Sequence, residues 1–318
     1  MSDSARGKAD APRVALGPVM PGWGSWDWVG ADMQEELSRW YRTASFAPGE
    51  VPAADLVLVV KHAPDLSWME CCCRRSAVVY CPVDYYGSAA AIDADGPLLR
   101  KCARVVVHCE RLRRYFAPYA PVEYLDHHVK FVSPLPDGPR DEGPLLWAGV
   151  RTNLPALADW LNAHPLPAAL VVLSNFEDAM LPPQPADFGF RPGLAVRLEH
   201  WSPGRHRELT ASARAALDIK GDDFRSRHKP PAKALDFLAS GLPLALNPGS
   251  SPAEHLARLG FEVPSPLDVG RWLSREYWEE TQRFGRAVRE LLSRERVGSR
   301  LRRILDEVLA ERRLPGRT

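Results

Sequence analysis

The feature that most constrains this chain is a succession of short, continuously apolar runs, each followed by residues at helical spacing. The first series is Val14 to Gly17, Leu56 to Val60, Ala77 to Cys81, Val105 to Cys109 and Val122 to Leu125. Apolar character that does not alternate between in and out suits strands covered on both faces, as in a parallel sheet between two helix layers. The pattern restarts with Leu145 to Gly149, a helical stretch from Leu154 to Leu161, then Ala169 to Ser174, Ala195 to Trp201, Leu217 to Ile219 and Leu242 to Asn247. Between the series lies Ser133 to Gly143, dense in proline, glycine and charge with no apolar period, which reads as a linker. Two doubly wound α/β domains are therefore expected, and 318 residues suffice for both.

Expected boundaries are a disordered tail over 1–12, a first Rossmann-like domain over 13–135, a linker over 136–143, a second Rossmann-like domain over 144–285 and C-terminal helices over 286–318. With 41 basic and 40 acidic residues the formal charge is +1, which gives no global attraction to nucleic acid or an anionic membrane, and no nucleic-acid partner is expected. The polar start MSDSARGKADAPR has no apolar core, and no window approaches the roughly 18 apolar residues that span a bilayer, so a cytoplasmic protein is expected. Six cysteines (71, 72, 73, 81, 102 and 109) include no paired C-x-x-C, and they read as reduced thiols, not a zinc site.

From about Pro266 the chain reads as helical, with Val297, Leu301, Ile304, Leu305 and Val308 spaced to form one apolar face and Gly298 a point where it can kink. Residues 271–318 carry 13 Arg and no Lys against 8 acidic groups. That balance reads as a solvated helix face with intrahelical pairs such as Glu290 with Arg294; the alternative is a weak patch for a peripheral membrane or protein partner.

The most informative stretch is Asp223 to Pro243, which gathers Arg225, Arg227, His228, Lys229 and Lys233 around a helix start. Pro230 and Pro231 set an extended entry and a favourable first turn, and Gly241 and Pro243 mark the end. Free amides and the positive end of the helix dipole favour an anion there, with a phosphate or diphosphate the natural guest. Asp236 follows Lys233 at i+3, so a cation for phosphate and a carboxylate for ribose hydroxyls can share one side of the helix. The competing account is an ordinary amphipathic helix with a solvated basic approach and a weak surface pair.

Leu217-Asp-Ile219, Lys229-Pro-Pro-Ala-Lys233 and Leu235-Asp-Phe-Leu-Ala-Ser-Gly-Leu-Pro243, with Ser251-Pro-Ala-Glu-His-Leu256 and Gly260 downstream, resemble the donor-binding half of GT-B glycosyltransferases of the family-4 type. More loosely, Val105 to Cys109 and Val122 to Val129 resemble the close of the acceptor domain, and Leu146 to Gly149 the first donor-domain strand. The resemblance implies two Rossmann-like domains facing a cleft, with C-terminal helices crossing back to the first. It also implies that Lys233 contacts the donor diphosphate and Asp236 the donor ribose. The paired Glu of the fuller signature is absent, which leaves the group holding the transferred sugar unassigned.

Around these lie further candidates. Glu254 resembles a donor-side residue, yet Ser251 to Glu254 also reads as a capping box. Gly22 and Gly24, in the loop Pro21 to Ser25, can let backbone amides approach the donor, or can simply make a strand-to-helix turn. His62 and Asp84 follow strands at the edge where open α/β sheets place ligands, and are the catalytic acid–base candidates; His127 and His128 can line the same region. Trp23, Trp26 and Trp28 can stack a sugar, aromatic or nucleobase acceptor, or anchor a helix in the core.

The expected function is transfer of a sugar from a nucleoside-diphosphate sugar to an unidentified acceptor, with Arg, Lys and a helix terminus stabilising the leaving diphosphate. Neither metal nor cofactor is expected. The likeness to family 4 leans to retention at the anomeric carbon. Two alternatives stay open: a nucleotide-sugar epimerase of the same architecture, and a catalytically degenerate donor-binding or scaffold protein.

Overall fold

The computed structural model describes residues 10–62, 64–135 and 138–313; residues 1–9 of the expected tail and 136 and 137 of the expected linker lie outside them. The chain forms two compact units. The first runs to His128 and also takes His228–Pro230 and the chain from Leu292, while the second takes Val129–Arg227 and Pro231–Leu291.

In the first unit, β1 (Arg13–Gly17), β2 (Arg42–Ser45), β3 (Leu56–Val60), β4 (Ala77–Cys81), β5 (Arg104–Val107) and β6 (Val122–Tyr124) form a parallel sheet in the order β2-β1-β3-β4-β5-β6. Strands β3 and β4 are buried along their whole length, as their unbroken apolar sequence requires. Strand β2 was not among the expected ones, because Arg-Thr-Ala-Ser carries no apolar signal; it survives as a short, largely exposed edge. The helices of this unit are α1 (Asp32–Leu37), α2 (Leu66–Cys73), α3 (Ala89–Ala94), α4 (Gly96–Leu99) and α5 (Arg113–Phe116).

In the second unit, β7 (Leu145–Gly149), β8 (Leu170–Ser174), β9 (Val196–His200), β10 (Ala215–Asp218) and β11 (Leu244–Leu246) form a parallel sheet in the order β11-β10-β7-β8-β9. Its helices are α6 (Leu154–Ala163), α7 (Pro203–Ser212), α8 (Phe224–Arg227), α9 (Ala232–Ser240), α10 (Ser251–Arg258), α11 (Val269–Trp272) and α12 (Arg275–Leu291). This unit begins at Val129, ahead of the expected linker, because backbone amides of that segment are spoken for by α9. Lys130 N–H donates to Asp236 Oδ1 at 2.7 Å, Ser133 N–H to Ser240 Oγ at 3.0 Å and Leu135 N–H to the Ser240 carbonyl at 2.9 Å.

The C-terminal helices are divided between the units. Helix α13 (Arg294–Arg313) belongs to the first, where Val297, Leu301, Ile304, Leu305 and Val308 are buried in one cluster with Val14, Leu16, Leu58 and Val79. It runs unbroken through Gly298, so that glycine is not a kink: a Cβ there would lie 2.3 Å from Glu36 Cγ, and the glycine permits the approach of α1. Glu290 and Arg294 do not share one helix as expected, since α12 ends at Leu291 and α13 starts at Arg294; Arg294 makes a two-pronged bond to Glu35, 2.9 Å on each arm.

Helix α12 packs on α9 through Gly285, where a Cβ would meet the Leu238 carbonyl oxygen at 2.2 Å. Gln282 Nε2 donates to the Gly241 carbonyl at 2.8 Å, and Gly241 (φ +84°) ends α9 in the left-handed conformation that favours glycine. A backbone carbonyl cannot swing aside as a side chain can. Gly285→Ala should therefore lose about 1–3 kcal/mol in urea unfolding, although helix propensity alone favours alanine by about 1 kcal/mol.

Candidate functional site

In each sheet one pair of adjacent strands sends its connections off in opposite directions, and ligands of open α/β sheets bind outside the carboxyl ends at such a point. In the second sheet the pair is β7 and β10, and in the first it is β1 and β3.

At the end of β7 the buried Trp147 indole folds back over Gly149, whose Cβ would otherwise stand 1.9 Å from the ring. Lys233, in the first turn of α9, holds its ammonium 5.9 Å from the centroid of that ring. This cation–π contact aims a half-buried charge at the switch point. Pro231 precedes α9 and no side chain caps it, so its first-turn amides add to the positive end of the dipole beside Lys233. His206 of α7 is buried next to the same lysine, stacked on Phe237 at 5.6 Å and near Phe131 at 5.5 Å. Burial first, then the charges of Lys233 and Arg207, push it down to about 4, so it is neutral at pH 7. At the end of β10, Lys220 is paired with the buried Asp218 at 2.8 Å, and its backbone exchanges bonds of 3.0 and 3.1 Å with the Asn247 amide beyond β11.

The basic residues expected to act together are divided between the two units. Arg225 and Arg227 are exposed on α8 of the second unit, Arg227 3.8 Å from Asp222. His228 and Lys229 go with the first unit, where the His228 ring meets Tyr115 edge-on at 5.3 Å. Glu254 is exposed in the first turn of α10, and the cap is Ser250, not Ser251: its Oγ accepts from Ala253 N–H at 3.4 Å, so Glu254 falls one residue past the capping-box position.

The expected role of Asp236 is not compatible with its position. Its side chain is buried, and its carboxylate accepts the amides of Lys130 and Phe131 in place of facing a ribose. The i+3 spacing that put it beside Lys233 is real, but α9 is packed along most of its circumference, so that side of the helix faces protein. Burial pushes its carboxyl up to about 7, against the opposing pull of the Lys130 and Phe131 amides.

In the first unit the loop after β1 turns at Gly22 (φ +79°), with Trp23 N–H donating to the Met20 carbonyl at 3.2 Å. The turn accounts for Gly22; a side chain at Gly24 would only touch Trp28 at 3.6 Å, so nothing in the structure demands glycine there. Of the three tryptophans, Trp26 is core, Trp28 donates its indole N–H to the His128 carbonyl at 3.0 Å, and Trp23 stands 45% exposed. His62 Nε2 is covered and has no hydrogen-bond partner among the described residues, and the ring stands edge-on between Trp23 (5.2 Å) and Tyr85 (5.7 Å). Burial, then the neighbouring Lys61 charge, lowers its pKa. Asp84 is bridged to the Lys61 ammonium at 2.7 Å. His127 is buried against His108 at 4.4 Å, and His128 Nε2 is bonded to Asp32 at 3.0 Å; all are internal to this unit.

Sequence reasoning missed Lys61, Trp147 and His206. In the sequence Trp147 is only one residue of an apolar run, and no local signal distinguishes an inward-packed lysine from a solvated one. Among the described residues no helix is long and apolar enough to cross a membrane.

No protein-family model matches the chain, and no curated protein matches it. Solved structures do. AviGT4, a glycosyltransferase involved in avilamycin A biosynthesis, superposes with TM-score 0.61 at 16% identity over 94% of this chain and 98% of its own. WaaG, a glycosyltransferase involved in lipopolysaccharide biosynthesis, gives 0.60 at 12% over 92% and 99%. The pneumococcal O-GlcNAc transferase GtfA, solved with UDP and GlcNAc, gives 0.53 at 14% over 80% of this chain and 57% of its own. The chain has the GT-B fold of glycosyltransferases.

A raised aspartate adds stability that is full below its unfolded value near 3.8 and is lost as pH rises toward about 7, because in that window only the unfolded chain ionises freely. Asp236→Asn removes the titration while keeping the shape. Its unfolding free energy relative to the wild type should therefore rise between pH 4 and pH 8, by on the order of a few kcal/mol in denaturant titrations at the two pH values.

Proposed function

We propose that this chain is a glycosyltransferase that holds a nucleoside-diphosphate sugar on its second unit and transfers the sugar to an acceptor served by the first. The observation that carries this reading is the uncapped, lysine-bearing start of α9 at the β7/β10 switch point, in a fold shared with glycosyltransferases over nearly the full chain.

Chemically, the bond from the anomeric carbon to the diphosphate oxygen breaks while one to an acceptor oxygen forms, the acceptor hydroxyl gives its proton to the departing diphosphate or to water, and negative charge grows on the diphosphate as it leaves. Lys233 and the first-turn amides of α9 offset that charge, with Arg225 and Arg227 near enough in sequence to join when a donor is present. Neutral His206 beside Lys233 adds no competing positive charge. In this reading the diphosphate is neutralised by the protein's own cations, and a divalent metal is not needed. Loop glycines 22 and 24 and residues 62 and 84 lie on the first unit, and Glu254 lies on the second.

A second reading is favoured by two observations: Asp236 is committed to backbone amides, and the paired acids of the family-4 signature are absent. On that reading the chain binds a nucleotide sugar without transferring it. Calorimetry with UDP, GDP, dTDP and ADP in the presence of EDTA tests both. One nucleotide should bind, and Lys233→Ala should weaken it at least about tenfold, or ~1.4 kcal/mol. Failure of all four to bind overturns the transferase reading. Binding with no product from the matching nucleotide sugar, whether acceptors or water are supplied, selects the second reading, and sugar inversion without acceptor selects an epimerase.

A further inference from the structure

The carboxyl-end rim of the first sheet carries a group of residues that the donor site does not use. Two non-glycine residues there have left-handed backbones, Lys61 (φ +63°) after β3 and Val83 (φ +53°) after β4. For the β-branched Val83 this conformation is costly, and such strain persists only where its surroundings enforce it. The enforcement is visible. Lys61 N–H donates to the Cys81 carbonyl at 2.8 Å, its carbonyl accepts the Tyr80 hydroxyl at 2.9 Å, and Tyr85 N–H closes a turn on Pro82 at 2.9 Å.

The held backbone brings the Lys61 ammonium onto Asp84 at 2.7 Å and over the Trp23 ring at 5.4 Å from its centroid. The ion pair is only partly covered, its side chains 18% and 20% exposed, and the indole beside it is 45% exposed. His62, neutral and lodged between Trp23 and Tyr85, fixes the angle of the indole. A flat apolar face is thus rigidly placed beside one strong donor and one strong acceptor, at the β1/β3 switch point.

We propose that this rim is a saccharide site, in which Trp23 carries the apolar C–H face of a pyranose while Lys61 and Asp84 read neighbouring hydroxyls. The proposal deepens the transferase reading and rests on it for the ligand's role as acceptor. A polyhydroxylated ring suits the site better than a plain aromatic one. Neighbouring hydroxyls both give and accept hydrogen bonds, whereas an aromatic ring over the indole would strip water from the Lys61–Asp84 pair and return nothing to it. Trp23 and His62 are positioning and stacking groups here, and no proton transfer is assigned to His62, whose Nε2 is covered.

The test is saturation-transfer NMR on the full chain with the methyl glycosides of glucose, galactose, mannose and rhamnose, alongside free para-nitrophenol and uridine. At least one glycoside should receive saturation on its ring protons. Its affinity should fall at least about tenfold in Trp23→Ala, be largely kept in Trp23→Phe, and fall in Asp84→Asn. Because Trp23 is substantially exposed, its replacement leaves the fold intact, and unchanged nucleotide calorimetry and thermal unfolding verify this. The proposal is overturned if no glycoside binds, if Trp23→Ala binds as the wild type does, or if para-nitrophenol or uridine outcompetes every glycoside. Nucleotide binding without glycoside binding defeats this inference and spares the transferase reading. Glycoside binding without binding of any nucleotide does the reverse.

Discussion

All the strands of both sheets run parallel, and a parallel ladder can be closed only by a crossover that carries the chain back to the starting edge. That constraint dictates where the helices lie and where the loops collect. The inner strands are covered on both faces, and β3, β4 and β8 are accordingly buried along their length. The loops after the strands are gathered along one edge of each sheet. Lys233 with Trp147 in one unit, and Trp23 with Lys61 and Asp84 in the other, are products of that geometry.

Within the second unit, α9 is tied to its surroundings at both ends and along its length. It offers its amino end toward the switch point, closes its carboxyl end on Gly241, and receives α12 at the distance Gly285 allows. Through Asp236 and Ser240 it also fastens Val129 to Leu135. A carboxylate sunk among apolar side chains is expensive unless its lone pairs are met, and here two backbone amides meet them. The amides gain equally, since that segment makes no ladder of its own. The acid that the motif suggested for ligand binding is thereby used to hold the chain that leads out of the first unit.

The strands were legible because the parallel sheet leaves a local trace, an unbroken apolar run, and the buried face of α13 was legible because its spacing is helical. Strand β2 left no trace, since an edge strand of Arg-Thr-Ala-Ser needs no apolar residues. The boundary near residue 135 was placed by composition, whereas the unit divides where hydrogen bonds to α9 begin, and those join residues more than 100 positions apart. The site was legible in part. Lys233 could be found from its helix start. That Asp236 is inward could not, because an i+3 relation says that two side chains share a side of a helix and nothing about what that side faces.

The left-handed residues at 61 and 83 show the same limit from the other direction. Neither lysine nor valine signals that conformation, so no reading of the residues one at a time locates it. It exists because Tyr80, Cys81 and Pro82 supply bonds at fixed places, and those places are set by the pairing of β3 with β4, where Val60 lies opposite Cys81. Sheet register therefore determines where the Lys61 ammonium and the Asp84 carboxylate stand, and through them the surroundings of the exposed indole. A group of residues assembled in this way is stiff because its cost is met by the sheet, so its geometry does not wait on a ligand to form. That is the property a site needs if it is to distinguish the hydroxyls of one sugar from those of another, since a loose pair of charges would accept them all.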